Sequence, residues 1–355
     1  MHATIALLPG DGIGPEVIDA AEAVLDAIAD RHGHTLILTR SPFGAAALRN
    51  GDPPLPPETL ETCRNADAVL LGAVGDPEFS EGPRERRPET GLLELRKALD
   101  VWANLRPALI WPGLEADCPL RPDRIAGVDL LIVRELIGGI YFGEPRGRNA
   151  DGTAAFDTMR YSVREVERIA RVAFEAARGR RRLVTSVDKA NVLECSRLWR
   201  EVVTAVASDY PDVTLEHQLV DSCTMRLVTE PASMDVLVAG NLFGDILSDE
   251  AGAVVGSLGL LPSASIGGDG GLFEPVHGSA PDIAGQDKAN PIGAIASAAM
   301  LLRHALNADK EAAAIETAIG AALADGCRTA DLPAANGAPP IGCTAMTRAI
   351  LDRLP

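Results

Sequence analysis

The chain is short of lysine, of paired cysteines, of long apolar runs and of positive charge, and each shortage excludes something. With a formal net charge of −17 over 355 residues, it has no field to attract nucleic acid or an anionic membrane. Small anionic substrates remain open to it, because local arginines override a global field. The six cysteines (Cys63, Cys118, Cys195, Cys223, Cys327, Cys343) are scattered with no CxxC, so neither a zinc site nor a disulfide framework is indicated. Reduced thiols in a cytoplasmic protein are the simplest account. No apolar run is long enough to span a bilayer, and residues 1–10 lack the basic start and long apolar stretch of a signal peptide. Only four of the 33 basic residues are lysines: Lys97, Lys189, Lys288 and Lys310. In such an arginine background a lysine marks a place where guanidinium will not serve, for instance where a proton must move. That singles out Lys189.

What is present fits a soluble globular protein: 46% hydrophobic residues, a mean hydropathy of +0.08 and enough length for two lobes. The stretch MDVLVAGNLFGDILSDE at residues 234–250 organises the chain. Its apolar run 236–239 reads as a buried strand, and after Gly240 and Asn241 a helical pattern begins. On that helix Asp245 and Asp249 are four residues apart, so both carboxylates leave one face. They repel by roughly a few tenths of a kcal/mol, a cost that a divalent cation reverses. A pair that follows a buried strand and a glycine turn stands where open α/β sheets place ligands.

Taken in order, residues 4–8 form a strand, followed by the turn PGDGIGPE and a helix at 15–29. This turn is not the GxGxxG fingerprint, because Pro15 stands where its third glycine belongs. Strands follow at 36–40 and 68–72 around a helix at 57–65. Residues 75–88 form a polar loop, and 89–98 a helix. Strands are expected near 103–107 and at 129–134, the latter ending in Arg134. A glycine-punctuated segment at about 138–160 reads as an arm suited to subunit contact. A helix at 162–178 precedes a strand at 182–187 that delivers Lys189, and a helix at 195–210 precedes a strand at 214–220 ending at Asp221. Residues 266–295 read as one long turn-rich segment, and alanine-rich helices close the chain at 292–306, 310–325 and 344–352. This alternation predicts an α/β fold built on parallel sheet with helices on both faces.

The charged groups at strand ends and in glycine turns make a coherent chemical set. Arg96, Arg106 and Arg134 suit a di- or tricarboxylic acid, because guanidinium forks bind carboxylate bidentately. Asp221, Asp245 and Asp249 offer hard oxygens to Mg²⁺ or Mn²⁺. Such a cation polarises a hydroxyl or ketone and stabilises an enolate. Lys189 beside it is placed to act as a base, and Tyr141 to return a proton.

The motifs LLPGDGIGPEV, ANLRP, VRELIGGIYFGEPR, SVDKANVLE, NLFGDILSDEA, GSLGLLPSA and EPVHGSAPDIAGQDKANP run through the whole chain. With them the chain resembles the metal-dependent β-decarboxylating dehydrogenases, the family of isocitrate and 3-isopropylmalate dehydrogenases. The resemblance implies that family's own α/β fold, which is not a Rossmann fold. It implies a first, NAD-binding lobe from residues 1–101 plus 256–355 and a second lobe from 102–255, with a cleft between them. It also implies a homodimer with shared active sites. Arg96, Arg106 and Arg134 would hold substrate carboxylates, and Asp245 and Asp249 would bind the metal with Asp221 of the partner subunit, which also touches substrate. Lys189, from the partner as well, would be the base, and Tyr141 would protonate the enolate after CO₂ leaves. Gly75, Glu89, Glu274, His277, Gly278, Ser279, Ala280, Pro281, Asp282, Ile283 and Asn290 would cradle the dinucleotide. A monovalent cation such as K⁺ is a further possible companion.

Within the family, Glu89-Thr90-Gly91-Leu92-Leu93 looks like the isopropylmalate branch; isocitrate enzymes place serine and asparagine there. Leu92 and Leu93 would line a pocket for an isopropyl group, worth roughly 2 kcal/mol. Glu89 and the leucines would penalise a third carboxylate. Asp282 and Ile283 stand where NADP-using relatives carry lysine and tyrosine, and an aspartate repels a 2′-phosphate, so NAD⁺ is expected. The expected reaction is oxidative decarboxylation of 3-isopropylmalate in leucine biosynthesis. The rivals are a sibling acting on D-malate or tartrate and a non-catalytic regulatory subunit. Ser222-Cys223-Thr224 departs from the asparagine or alanine usual after Asp221, and its position suggests an influence on metal affinity.

Overall fold

The computed structural model describes residues 1–81, 83–115, 117–268, 270–333 and 337–355. Gly82, in the loop expected to reach the dinucleotide, and Asp269, in the turn-rich segment, lie outside the described residues. The chain forms two compact units: Met1–Val101 with Trp111–Pro119 and Gly256–Pro355, and Trp102–Ile110 with Leu120–Val255. Elements are numbered in chain order.

In the first unit the strands run β2 (Thr35–Arg40), β1 (His2–Gly10), β3 (Ala68–Ala73), β12 (Gly271–Pro275), β11 (Pro262–Ile266). Strand β1 is parallel to β2 and β3, and β12 to β3, but β11 is antiparallel to β12. The buried runs Ile5–Leu8 and Ala68–Leu71 explain β1 and β3: neighbours cover both faces, so no polar alternation is needed. Helices α1 (Gly14–His32), α2 (Ala45–Arg49), α3 (Pro57–Asn65), α4 (Pro88–Ala98), α10 (Ile292–His304), α11 (Asp309–Ala324) and α12 (Cys343–Leu351) complete the unit. Every residue of α10 from Ile292 to Leu302 is buried, as befits a helix apolar all round. It packs on β11, β12, α1 and α11.

In the second unit the order is β4 (Ala103–Leu109), β5 (Asp129–Glu135), β10 (Val236–Ala239), β8 (Leu183–Asp188), β9 (Thr214–Leu219). Its helices are α5 (Pro122–Ile125), α6 (Val163–Arg178), α7 (Glu194–Ala207), α8 (Val220–Thr229) and α9 (Asn241–Val255). Ser162 and Glu165 start α6 with a reciprocal capping box. The expected arm holds a small antiparallel ribbon, β6 (Gly147–Arg148) and β7 (Ala155–Phe156), exposed along its length.

Four expectations need correction. The sheets are not wholly parallel, since β4 pairs antiparallel with β5 and β11 with β12. The link 267–270 is too short for the crossover that parallel strands require. The segment 266–295 is not all turn, because it contains β12. Asp221 sits in the first turn of α8 rather than on β9. Residues Trp111–Pro119, assigned above to the second lobe, pack within the first unit. There the buried Arg328 donates to Gly113 O and pairs with Asp117. Among the described residues, no helix is long and apolar enough to cross a membrane.

Candidate active site

In the second unit, strand ends and one helix bring five of the selected residues together. Arg134 lies at the C-terminal end of β5, beside the start of α9. Gly244 of α9 allows this approach, since a Cβ there would stand 2.8 Å from the Cβ and Cγ of Arg134. Arg106 lies on β4 and shares a strand face with Asn104, whose Oδ1 accepts from Arg106 Nε at 2.7 Å.

Both guanidinium groups meet the aspartates. Arg134 Nη1 donates to Asp245 Oδ1 in a short contact, and Arg106 Nη1 is 3.4 Å from both Asp245 and Asp249. Tyr141 OH donates to Asp245 Oδ2 at 2.9 Å, and Arg134 lies 5.7 Å from the centre of the tyrosine ring. Burial, then the charge and hydrogen bond of Asp245, raise the Tyr141 hydroxyl above its ordinary value, so it is held protonated. Burial and the negative charge of Asp245 also raise the Asp249 carboxyl, against the pull of Arg106 and Arg134. These are hard oxygens crowded together, a donor set that suits Mg²⁺ or Mn²⁺.

Lys189 and Asp221 form a separate pair. Lys189 follows β8, its backbone N–H is held by Ser196 Oγ, and its Nζ donates to Asp221 Oδ1 at 2.7 Å. The lysine contact holds the Asp221 carboxyl below the usual carboxylate range. Among the described residues of this chain, the three aspartates do not gather as a ligand set; the gathered group is His32, His34 and Glu311. The departure at 222–224 has a structural side: Cys223 faces the core, and burial pushes its thiol up to about 12. Burial thus leaves it an unreactive thiol.

The sequence reading missed the residues that fix this cluster. Asn241, treated above only as a breaker, is 1% exposed and fully engaged. Its Oδ1 accepts from Arg134 Nε and Nη2 at 3.0 and 2.8 Å, and its Nδ2 donates to Leu136 O and Gly138 O. Its backbone N–H donates to Tyr161 OH at 2.7 Å. Gly139 opens the turn that carries Tyr141 with φ +70, and a Cβ there would lie 2.3 Å from Tyr161 OH. Glu135, wholly buried, accepts from Gly138 N and Ile137 N at the same turn. Burial pushes its carboxyl up to about 7. The available signals were a polar residue just after an apolar strand, for Asn241, and the rarity of tyrosine, three in the chain, for Tyr161.

In the first unit the PGDGIGPE turn acts as scaffold. Asp11, 2% exposed, accepts from Gly75 N and Ala46 N, while Ile13 N donates to Ser279 O. Gly12 has φ +56, and a Cβ there would lie 1.9 Å from Ser279 O. Gly75, Glu89 and Ser279 thereby meet: a Cβ on Gly75 would stand 3.2 Å from Glu89 Oε1 and 3.7 Å from Ser279 Oγ. His277 Nδ1 contacts Gly278 O, its Nε2 is buried without a partner among the described residues, and burial lowers its basicity. Ala280 takes a positive φ of 37, Pro281 and Asp282 are exposed, and Ile283 is half-buried. Asn290 is used within the fold, bonding Asp331 and the N–H of Ile292.

Helix α4 places Glu89, Leu92, Leu93 and Arg96 on one face, at i, i+3, i+4 and i+7. Leu95 is fully buried, whereas Leu92 and Leu93 are half-buried, so neither is a plain core residue. Arg96 is 8% exposed and donates to Glu274 Oε1 at 2.7 Å, and its Nε has no partner among the described residues. Glu274, expected at the dinucleotide, thus holds Arg96.

Known proteins carry the same arrangement of sequence and fold. A family model described as isocitrate/isopropylmalate dehydrogenase matches residues 4–350. The 3-isopropylmalate dehydrogenase of Anaeromyxobacter dehalogenans is 54% identical, covering 100% of this chain and 99% of that one. That of Nitratidesulfovibrio vulgaris is 56% identical over 100% of both chains. Among solved structures, isocitrate dehydrogenase from Methylococcus capsulatus superposes with a TM-score of 0.89 at 39% identity, covering 100% and 99% of the two chains. A β-decarboxylating dehydrogenase from Thermococcus kodakarensis gives 0.80 at 38% identity, covering 99% and 96%. Fold and relatives together define an α/β oxidoreductase. More particularly, the chain belongs to the isocitrate/isopropylmalate dehydrogenase family.

Proposed function

We propose that the protein catalyses the NAD⁺-dependent oxidative decarboxylation of (2R,3S)-3-isopropylmalate to 4-methyl-2-oxopentanoate and CO₂, in leucine biosynthesis. The observation that carries the substrate is the α4 face, where Leu92 and Leu93 stand half-buried between Glu89 and Arg96. Apolar surface there rewards an isopropyl group, and Glu89 penalises a third carboxylate. Arg96, Arg106 and Arg134 supply guanidinium forks for the two carboxylates.

Asp245 and Asp249, with Asp221 of the partner subunit, would hold Mg²⁺ or Mn²⁺, which when bound polarises the substrate oxygens. Lys189 of the partner subunit, with its Nζ neutral, would accept the hydroxyl proton, and NAD⁺ when bound would supply the hydride acceptor. After CO₂ departs, Tyr141 OH supplies a proton to the carbon it left. The raised Tyr141 hydroxyl favours that role, since the group stays protonated until it acts. The exposed carboxylate of Asp282 would accept from a ribose diol and repel a 2′-phosphate. A homodimer is supported by apolar side chains left exposed in the second unit: Met225 and Val228 on α8, Ile246 on α9 and Phe156 on the arm.

The test is reduced-nicotinamide formation with Mg²⁺ from 3-isopropylmalate, D-malate, tartrate and isocitrate, each with NAD⁺ and NADP⁺. The expected result is a preference of about a hundredfold for 3-isopropylmalate with NAD⁺. Preference for D-malate or tartrate would overturn the substrate, and absence of turnover with all four would favour a regulatory subunit.

A further inference from the structure

In the first unit, remote in sequence from the cluster on α9 and unused by the proposed chemistry, two imidazoles converge on one carboxylate. Helix α1 ends at His32, and Gly33 caps it in the left-handed conformation with φ 66, so the chain turns and His34 leads into β2. The two rings stack with centroids 5.8 Å apart and planes 22° from parallel. Glu311, in the first turn of α11, completes the group. Its Oε1 lies 2.7 Å from His34 Nε2 and 3.7 Å from His32 Nδ1, and the three ligand atoms all lie within 4.8 Å of one another.

We propose that His32, His34 and Glu311 form a site for a late first-row divalent ion of the Zn²⁺ class, which pins α1, β2 and α11 together. Ligand atoms about 2.0–2.1 Å from a tetrahedral Zn²⁺ sit about 3.3 Å from one another. The two separations from Glu311, 2.7 and 3.7 Å, bracket that spacing, and the third pair of ligand atoms lies within 4.8 Å, so an ion enters by drawing the two imidazoles together about the carboxylate. The side chains of His34 and Glu311 are 14% and 13% exposed, and that of His32 is 33% exposed. Two ligands are thus held by the fold while the third leaves a path from solvent. Two nitrogens and one oxygen favour late transition ions, in contrast to the hard oxygens of Asp245 and Asp249.

Co²⁺ is the probe, because a nitrogen-ligated, four-coordinate cobalt ion absorbs visible light far more strongly than one in an oxygen octahedron. The full chain, freed of metals and then saturated with Mg²⁺, is titrated with Co²⁺. One equivalent per chain should develop the intense band, lose it when Zn²⁺ is added, and raise Tm by several degrees. His32→Ala with His34→Ala should abolish the band and the Tm rise while leaving the metal-free Tm nearly unchanged. Glu311→Gln, which keeps both imidazoles, should weaken Co²⁺ binding about tenfold or more. No intense band from the unmodified chain, or the same band from the double variant, overturns the proposal.

Discussion

In the second unit, the groups proposed to handle substrate hold one another. Arg134 and Arg106 meet Asp245, Tyr141 donates to it, and Asn241 secures Arg134. In the first unit, the region proposed for the dinucleotide is made of backbone turns and polar atoms left open. Ile13 N–H holds Ser279 O beside Gly12, Asp11 holds Gly75, and the Nε2 of His277 is buried without a partner among the described residues. The contrast separates two ways of building a binding surface. Ionised side chains far apart in sequence must be neutralised by one another before ligand arrives, because unpaired buried charge is costly. A backbone cradle already has its conformation fixed and needs little but space.

The largest test of this contrast is Asp245→Asn. Three partners converge on that carboxylate, so the change should abolish cation-dependent turnover, by about a thousandfold or more, with the fold retained by circular dichroism. Survival of cation-dependent turnover would mean that the α9 cluster is only structural. Next comes Asn241→Ala, which removes two hydrogen bonds to a charged group, each worth about 1.5–3 kcal/mol. It should lower kcat/KM for 3-isopropylmalate roughly ten- to hundredfold with KM for NAD⁺ unmoved. Asn241→Asp, which keeps the acceptor but loses the donors to Leu136 O and Gly138 O, should fall between the two.

For the backbone cradle, Gly12→Ala places a methyl 1.9 Å from Ser279 O at φ +56. The strain should cost about 1–3 kcal/mol of stability and raise KM for NAD⁺, with cation affinity unchanged. Equal loss of cation binding would erase the distinction between the two regions.

The smallest expected effect comes from Glu135. Its folded carboxyl is raised from 4.5 to about 7, so its contribution to stability is present below pH 4.5 and is lost as the pH rises through about 7. Glu135→Gln mimics the protonated form. The stability of the unmodified protein relative to this variant should therefore fall, by on the order of 1–2 kcal/mol, between pH 5 and 8. Thermal melts across that range check it, and a pH-independent difference would contradict the burial argument.

Much of the architecture was legible because buried strands announce themselves as apolar runs. Residues 68–71 and 236–239 are examples, as is the amphipathic α6 with its Ser162 cap. Strands β11 and β12 were not legible. Ser263 and Ser265 are buried there although polar, and Ser263 Oγ donates to Glu274 O across the hairpin, so β11 shows no apolar run and only Leu272 and Phe273 mark β12. Likewise the arginines and aspartates stood out as charges at strand ends, whereas Asn241 did not. Its role depends on Arg134, 107 residues earlier, and only the folded register of β5 beside β10 brings the two together.

The account rests on a division of labour in which Lys189 moves a proton while the arginines and aspartates hold the reactants. Lys189→Met tests it directly, by measuring NADH formation alongside calorimetric titration of Mg²⁺ and 3-isopropylmalate. The account predicts that turnover falls by about 10²–10⁴, within the range of general base catalysis, while both ligands still bind within a few-fold of the unmodified affinity. Comparable turnover in the variant would contradict it.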